Sequence, residues 1–178
     1  MTNSMCWVLL AAGTAGAPAF ATHYLTAEQA QVLMFPDATS FRREHIALTT
    51  PQMRQIEKLA GIPSRSANWR VVMALEGDAP IGYMVLDDVV GKFELISFAV
   101  GLNPDASVRQ VEILAYRESH GGEIRNPAWR KQFAGKRAPN GLAIGEGIAN
   151  ISGATLSCTH VTDGVRRIAA IAQVVLAK

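Results

Sequence analysis

Apolar and polar residues alternate with a period of two in four consecutive segments that begin at Trp69. The segments read WRVVMALE, IGYMVLDDVV, KFELISFAVGL and SVRQVEILAYRE, and the short polar connectors GDAP, GK and NPDA separate them. This alternation is typical of β-strands, and connectors this short favour strands that run antiparallel to their neighbours. The pattern therefore predicts an antiparallel β-meander in the middle of the chain.

Segments with helical signals flank the predicted meander. Before it, TAEQAQVLMFPDA has Thr26 as a candidate N-cap, and TTPQMRQIEKLAGIP has Thr50 as a cap with Pro51 in the first helical position. After it, NPAWRKQFAGK can begin at an Asn126 cap and end at Gly135. The order of helices, meander and further helices predicts an α+β fold that ends with a C-terminal helix.

The C-terminal segment carries an apolar stripe at helical spacing, formed by Val161, Val165, Ile168, Ala172 and Val175. Such a stripe indicates a helix that packs on a core. Arg166 and Arg167 fall within the same helix. We expect both side chains on its solvated face.

Length and charge limit the number of domains and the kinds of partner that the chain can have. The chain has 178 residues, the length of a single domain, and its 17 lysines and arginines exceed its 15 aspartates and glutamates by two. No basic stretch is interleaved with aromatic residues, so the pattern of a nucleic-acid binder is missing and we expect no nucleic-acid partner. The histidines show no ligand spacing, and we predict no metal site.

The first 21 residues, MTNSMCWVLLAAGTAGAPAFA, have the features of a secretory leader. They contain no charged residue, carry an apolar run over positions 5–12 and end in the small-x-small pattern AFA. We therefore expect a leader over residues 1–21, one domain over 22–178 and a periplasmic or other extracytoplasmic location. The leader lacks an initial lysine or arginine, and an uncleaved membrane anchor is the alternative interpretation.

The segment SGATLS begins the C-terminal helical pattern with small and hydroxylated residues. Ser152 stands where an N-cap is expected, Gly153 permits close approach to the backbone, and Ala154 adds no bulk. Thr155 and Ser157 then place hydroxyls in the first turn. The unpaired amides and the positive dipole end of a helix N-terminus suit an anion such as a phosphate. An ordinary serine-capped helix explains the same residues without a ligand.

The segment SGATLS followed by VTDGVRR resembles the flavin-attachment motif of the FMN-binding domain family. That family includes the flavin subunits of sodium-pumping quinone reductases and of related ferredoxin-linked electron-transport complexes. Its motif threonine is joined to the FMN phosphate by a phosphoester. The resemblance implies FMN as the cofactor, Thr155 as the attachment residue, and Ser152, Gly153, Ala154 and Ser157 as its surroundings.

A second pattern, YRESHGGEI followed by WRKQFAGK, resembles the family's strand-end glutamate, glycine-containing turn and short helix. The resemblance implies that Glu118, Ser119, Gly121 and Gly122 lie near the flavin. One position departs from the family. Where the family usually has an aspartate that the flavin transferase reads, six residues before the attached threonine, this chain has Ala149.

The resemblance implies an exported electron carrier, in which FMN performs the redox chemistry and the polypeptide positions it. The implied partners are a flavin transferase and a membrane-associated redox protein. A module of a different class remains open, one that binds FMN or another ligand reversibly for a sensory or accessory role. A flavin reductase that acts on a small molecule is a third alternative.

Overall fold

The centre of the molecule is a six-stranded antiparallel sheet with the strand order β1-β6-β5-β4-β3-β2. The structure, a computed structural model, describes residues 22–177, and the predicted leader lies outside them. The strands are β1 (Thr22–His23), β2 (Ser40–Ala47), β3 (Asn68–Glu76), β4 (Ala79–Val90), β5 (Leu95–Leu102) and β6 (Val108–Tyr116).

The four strands predicted from the alternating pattern are confirmed as β3 to β6, and neighbours along the chain pair as a meander. Strand β2 was not predicted. Its sequence, SFRREHIA, has charged residues at three adjacent positions, and no residue of the strand is fully buried. It forms an edge of the sheet, where one side of the backbone has no strand partner. Because none of its side chains is fully buried, the strand lacks the strict alternation that identified its neighbours.

The described helices are α1 (Ala27–Met34), α2 (Thr50–Ala60), α3 (Pro127–Arg130) and α4 (Thr155–Val175), with short 3₁₀ turns at Gly122–Arg125 and Lys131–Phe133. The predicted cap of α1 is confirmed, because the Gln29 amide donates to Thr26 Oγ1. Helix α2 is capped by Thr49, one residue before the predicted Thr50. The α+β prediction is confirmed. Over residues 22–177 the helices are too short or too polar to cross a membrane.

Helix α4 begins later than predicted. Its N-cap is Ala154, which provides no side-chain oxygen, and the prediction of Ser152 as the cap is wrong. Gly153 has a φ of 85°, in the left-handed region that ends a turn and cannot continue a helix. The Ala154 amide donates to the Ile151 carbonyl and closes this turn. Ser152 therefore lies in the turn before the helix.

The sheet carries α2 and α4 on one face and α1 on the other. The predicted stripe of α4 is buried, as Val161, Val165 and Ile168 show. Gly164 allows this close packing, because a Cβ atom at its position would lie 2.6 Å from Phe98 Cζ on β5. Helix α4 therefore packs closely against the sheet, and this packing fixes the position of its N-terminus.

Arg167 is buried, and the prediction that it lies on a solvated face is wrong. Its Nε donates to the Pro63 carbonyl at 2.8 Å, and its Nη1 lies 3.7 Å from Asp87 Oδ2 on β4. Burial lowers the pKa of Arg167 and raises the pKa of Asp87. The neighbouring Arg166 is partly exposed and pairs with Asp163 at 2.8 Å. An ion pair between α4 and the sheet explains why a charged residue lies inside the core.

Candidate functional site

The two sequence motifs meet where the end of β6 faces the beginning of α4. Tyr116, the last residue of β6, donates its hydroxyl hydrogen bond to the His120 carbonyl. The same hydroxyl lies 3.1 Å from Ser157 Oγ in the first turn of α4. Burial raises the pKa of Tyr116, so the phenol stays protonated and keeps its donor. This buried side chain joins the turn after β6 to the helix.

Gly121 lets the two motifs touch. Its φ is 84°, and a Cβ atom there would lie 2.7 Å from Tyr116 Oη and 3.3 Å from the Cα of Ala154. Any side chain would therefore strain the backbone and also push the two loops apart. The small residue that the sequence shows at Ala154 serves the same contact, since it is buried against Gly121.

Replacing Gly121 with alanine is expected to lower the free energy of unfolding by about 3 kcal/mol, from the left-handed backbone and the overpacking together. The control is Gly145→Ala. Gly145 also has a φ of 84°, but no atom lies within 4 Å of its added Cβ. The control should lose only the backbone contribution, about 1 kcal/mol. Urea unfolding measures both values, and equal losses in the two variants would contradict the proposed close contact.

Two adjoining cavities, of about 500 and about 480 Å³, open on either side of the turn that follows β6. Glu118, Ser119 and Gly153 line both of them. Gly121 and Gly122 line only the first, and the second also contains Ala154, Thr155 and Ser157. Ser152 is exposed and lines neither. A larger cavity, of about 620 Å³, lies over β2 to β4 and contains no residue of either motif.

Thr155 is the first residue of α4, and its side chain is exposed. No side chain caps the helix, so its first amides are open to a ligand. Asn150 Nδ2 donates to Thr155 Oγ1 at 3.1 Å. The hydroxyl of Ser157, by contrast, is buried and already paired with Tyr116. The hydroxyl of Thr155 is therefore accessible at the positive end of a 21-residue helix.

Helix α3 holds the loop before Thr155 in place. Trp129 Nε1 donates to the Ala149 carbonyl at 2.7 Å, and the Ala149 amide donates to Gln132 Oε1 at 2.8 Å. Trp129 itself is buried and packs edge-on against Phe133. Because both backbone groups of Ala149 are engaged, the position of this loop does not depend on the side chain at residue 149.

Residues 91–170 match the family model of the FMN-binding domain. This part of the chain, a little less than half of it, is similar to FMN-binding domains. The matched region begins in the β4–β5 turn, contains both motifs and ends within α4. The family indicates FMN as the cofactor, and the resemblance inferred from the sequence is confirmed.

The chain is similar in fold to NqrC of Shewanella oneidensis, with a TM-score of 0.50. The similarity covers 79% of this chain and 86% of that chain. The two sequences are 16% identical, so the comparison shows a shared fold. No curated protein matches the chain in sequence.

The residues of the FMN-binding domain fit a phosphate at Thr155. The open helix N-terminus supplies amide donors and a favourable dipole, and Gly153 and Ala154 leave the backbone accessible. The cavity beside Thr155 extends from the helix to the β4–β5 turn, which gives room for the rest of the cofactor. FMN would supply the redox chemistry, and these residues would bind and orient it.

Glu118 stabilises the β4–β5 turn beside this site. Its Oε1 accepts hydrogen bonds from the backbone amides of Phe93 at 2.6 Å and of Glu94 at 3.0 Å. Burial opposes ionisation, but the hydrogen bonds from these amides and from the Lys92 amide, together with the Lys92 ammonium, hold the pKa of Glu118 below its usual value of 4.5. The carboxylate is therefore ionised at neutral pH, and its hydrogen bonds hold it to the backbone of the β4–β5 turn.

Sequence reasoning missed three residues of this site. Tyr116 was treated only as part of a strand, although its hydroxyl joins the two motifs. Lys92 and Phe93 were assigned to the beginning of a strand, but they lie in the turn before β5 and line the cavity of Thr155. A large aromatic residue directly after the tight Gly-Lys connector was the available signal for Phe93. Nothing in the local sequence distinguished Tyr116.

Proposed function

We propose that the chain is an exported electron carrier whose FMN is joined through its phosphate to Thr155. The observation that carries the proposal is the exposed Thr155 hydroxyl at the uncapped N-terminus of α4, beside a cavity that the second motif also lines. A phosphoester needs a free hydroxyl, and Thr155 provides it. The helix amides and dipole would stabilise the remaining negative charge of the phosphate.

The proposed carrier relays electrons and transforms no substrate. FMN accepts and donates the electrons, so the polypeptide needs neither a nucleophile nor a general base. Its partners would be a flavin transferase, which installs the cofactor, and a membrane-associated redox protein. A tether would suit an extracytoplasmic location, where a dissociated cofactor has no flavin pool to replace it. The leader pattern of residues 1–21 supports export.

A second candidate follows from Ala149, which stands where the family usually has an aspartate. If the transferase requires that carboxylate, the domain would hold FMN reversibly and serve as a sensory or accessory module. The neighbouring Asn150 supports the first proposal, because its side-chain amide already reaches the Thr155 hydroxyl. An amide is polar but uncharged, so it replaces the aspartate only in part.

Colour after acid precipitation separates the two candidates. The full chain is produced with export and a matching flavin transferase, purified, and precipitated with acid. We expect the purified protein to be yellow and the precipitate to keep the colour, because a phosphoester survives unfolding whereas hydrogen bonds do not. The control is the same chain produced without the transferase. A colourless precipitate from a yellow protein would support reversible binding, and a colourless protein would contradict both candidates.

A further inference from the structure

Phe93 is the most exposed large apolar side chain among the described residues, with 76% of its surface open to solvent. It stands at the tip of the β4–β5 hairpin, over residues 91–94. Burying an exposed aromatic ring against a flat ligand is favourable, both for the apolar area and for ring stacking.

The turn that carries Phe93 is built around the carboxylate of Glu118. Glu118 Oε1 accepts backbone hydrogen bonds from Phe93 at 2.6 Å and from Glu94 at 3.0 Å. The Gly91 amide donates to the Glu94 carbonyl at 2.8 Å and closes the turn. A Cβ atom at Gly91 would lie 2.6 Å from Glu118 Oε1, so a side chain there would displace the carboxylate from the turn. The backbone of the turn is thus held by Glu118, two residues after the end of β6, and this support presents the exposed ring.

The ring shares a cavity with the phosphate site. Lys92 and Phe93 line this cavity, of about 480 Å³, together with residues 153–157 around the α4 N-terminus. A ligand whose phosphate is held at Thr155 and whose body fills this space would contact the hairpin tip.

The charge of the hairpin tip suits a ligand that becomes more negative on reduction. Lys92 Nζ lies 4.9 Å from the centre of the Phe93 ring, and both residues line the cavity. A cation beside a flavin stabilises the electrons that its ring accepts, and charge near the ring is one of the means by which proteins set flavin potentials.

We propose that Phe93 and Lys92 contact the isoalloxazine of FMN, and that Glu118 is the positioning residue that holds them there. The inference rests on the proposed function, since it needs FMN in the cavity of Thr155. It holds for a tethered or a reversibly bound cofactor. Phe93 supplies the apolar contact and Lys92 the charge, whereas Glu118 acts only through the turn.

The test uses the full chain in wild-type form and as Phe93→Ala, Lys92→Met, Glu118→Ala and Glu118→Gln. Free FMN is titrated into protein produced without a transferase, and the midpoint potential of the bound flavin is then measured. We expect Phe93→Ala to weaken FMN binding about tenfold, the order of one lost aromatic contact. Lys92→Met should shift the midpoint potential to a more negative value.

The two Glu118 variants separate positioning from direct contact. Glu118→Ala leaves two amides of the turn without an acceptor and should weaken FMN binding about as much as Phe93→Ala. Glu118→Gln retains an oxygen that accepts the same hydrogen bonds and should bind FMN nearly as wild type does. The matched control is Glu94→Gln, whose exposed side chain belongs to the same turn and which should leave affinity and potential unchanged.

Each outcome decides between the inference and the function on which it rests. If wild type binds FMN but Phe93→Ala and Lys92→Met match it in affinity and potential, this inference is overturned and the proposed function stands. If Phe93→Ala weakens binding and Glu118→Ala does not, the positioning role of Glu118 is overturned. Both proposals are overturned if the wild-type protein binds no free FMN and also carries no FMN when it is produced with the transferase.

Discussion

Thr155→Ala is expected to abolish covalent attachment of FMN. The wild-type chain, produced with a flavin transferase, should gain the mass of one FMN minus water, about 438 Da from the chemistry of a hydroxyl phosphoester. Alanine has no hydroxyl with which to form that bond, so the gain should fall to zero. Intact-mass spectrometry measures it directly.

Two matched variants give this experiment its control. Thr155→Ser keeps a hydroxyl at the same exposed position and should retain part of the mass gain. Thr159→Ala removes the same hydroxyl chemistry one turn further along α4, at a partly buried position, and should retain the full gain. A gain that persists in Thr155→Ala would place the bond elsewhere, and no gain in wild type would favour the reversible module.

Arg167→Ala is expected to lower the free energy of unfolding by about 3–5 kcal/mol, the cost of removing one partner of a buried ion pair. The variant leaves Asp87 without its buried counter-charge from α4, the Pro63 carbonyl without its donor, and a void in the core. Urea unfolding should show a lower midpoint with an unchanged slope.

Arg166→Ala is the control, because it removes the same charge from the adjacent position. Arg166 is partly exposed and pairs with a neighbour on its own helix, so the loss should be about 1 kcal/mol. Adding Asp87→Asn to Arg167→Ala should recover part of the lost stability, since it removes the carboxylate that has lost its buried partner and keeps only the more exposed Arg65. Equal losses in the two arginine variants would contradict the buried ion pair as an element of stability.

The motif residues show how much of the site local sequence can predict. The small residues before α4 were identifiable from the sequence, because they allow close approach to the backbone, whereas the glycines after β6 were assigned to the site only through a family resemblance. Their meeting at Gly121 and Ala154 was expected only through a family resemblance. The joining residue, Tyr116, was missed, because nothing next to it in the chain indicates its contact with Ser157, 41 residues away.

The amino-acid sequence by itself determined the meander, the helices and the small-residue start of α4. These features follow from periodicity, capping and residue size, which act between near neighbours in the chain. The tertiary structure alone decided that Arg167 is buried while Arg166 is not, and that the Glu118 carboxylate supports the turn of Phe93. Those outcomes depend on which distant segments pack together, and local periodicity carries no information about the partners that a polar side chain meets across a sheet.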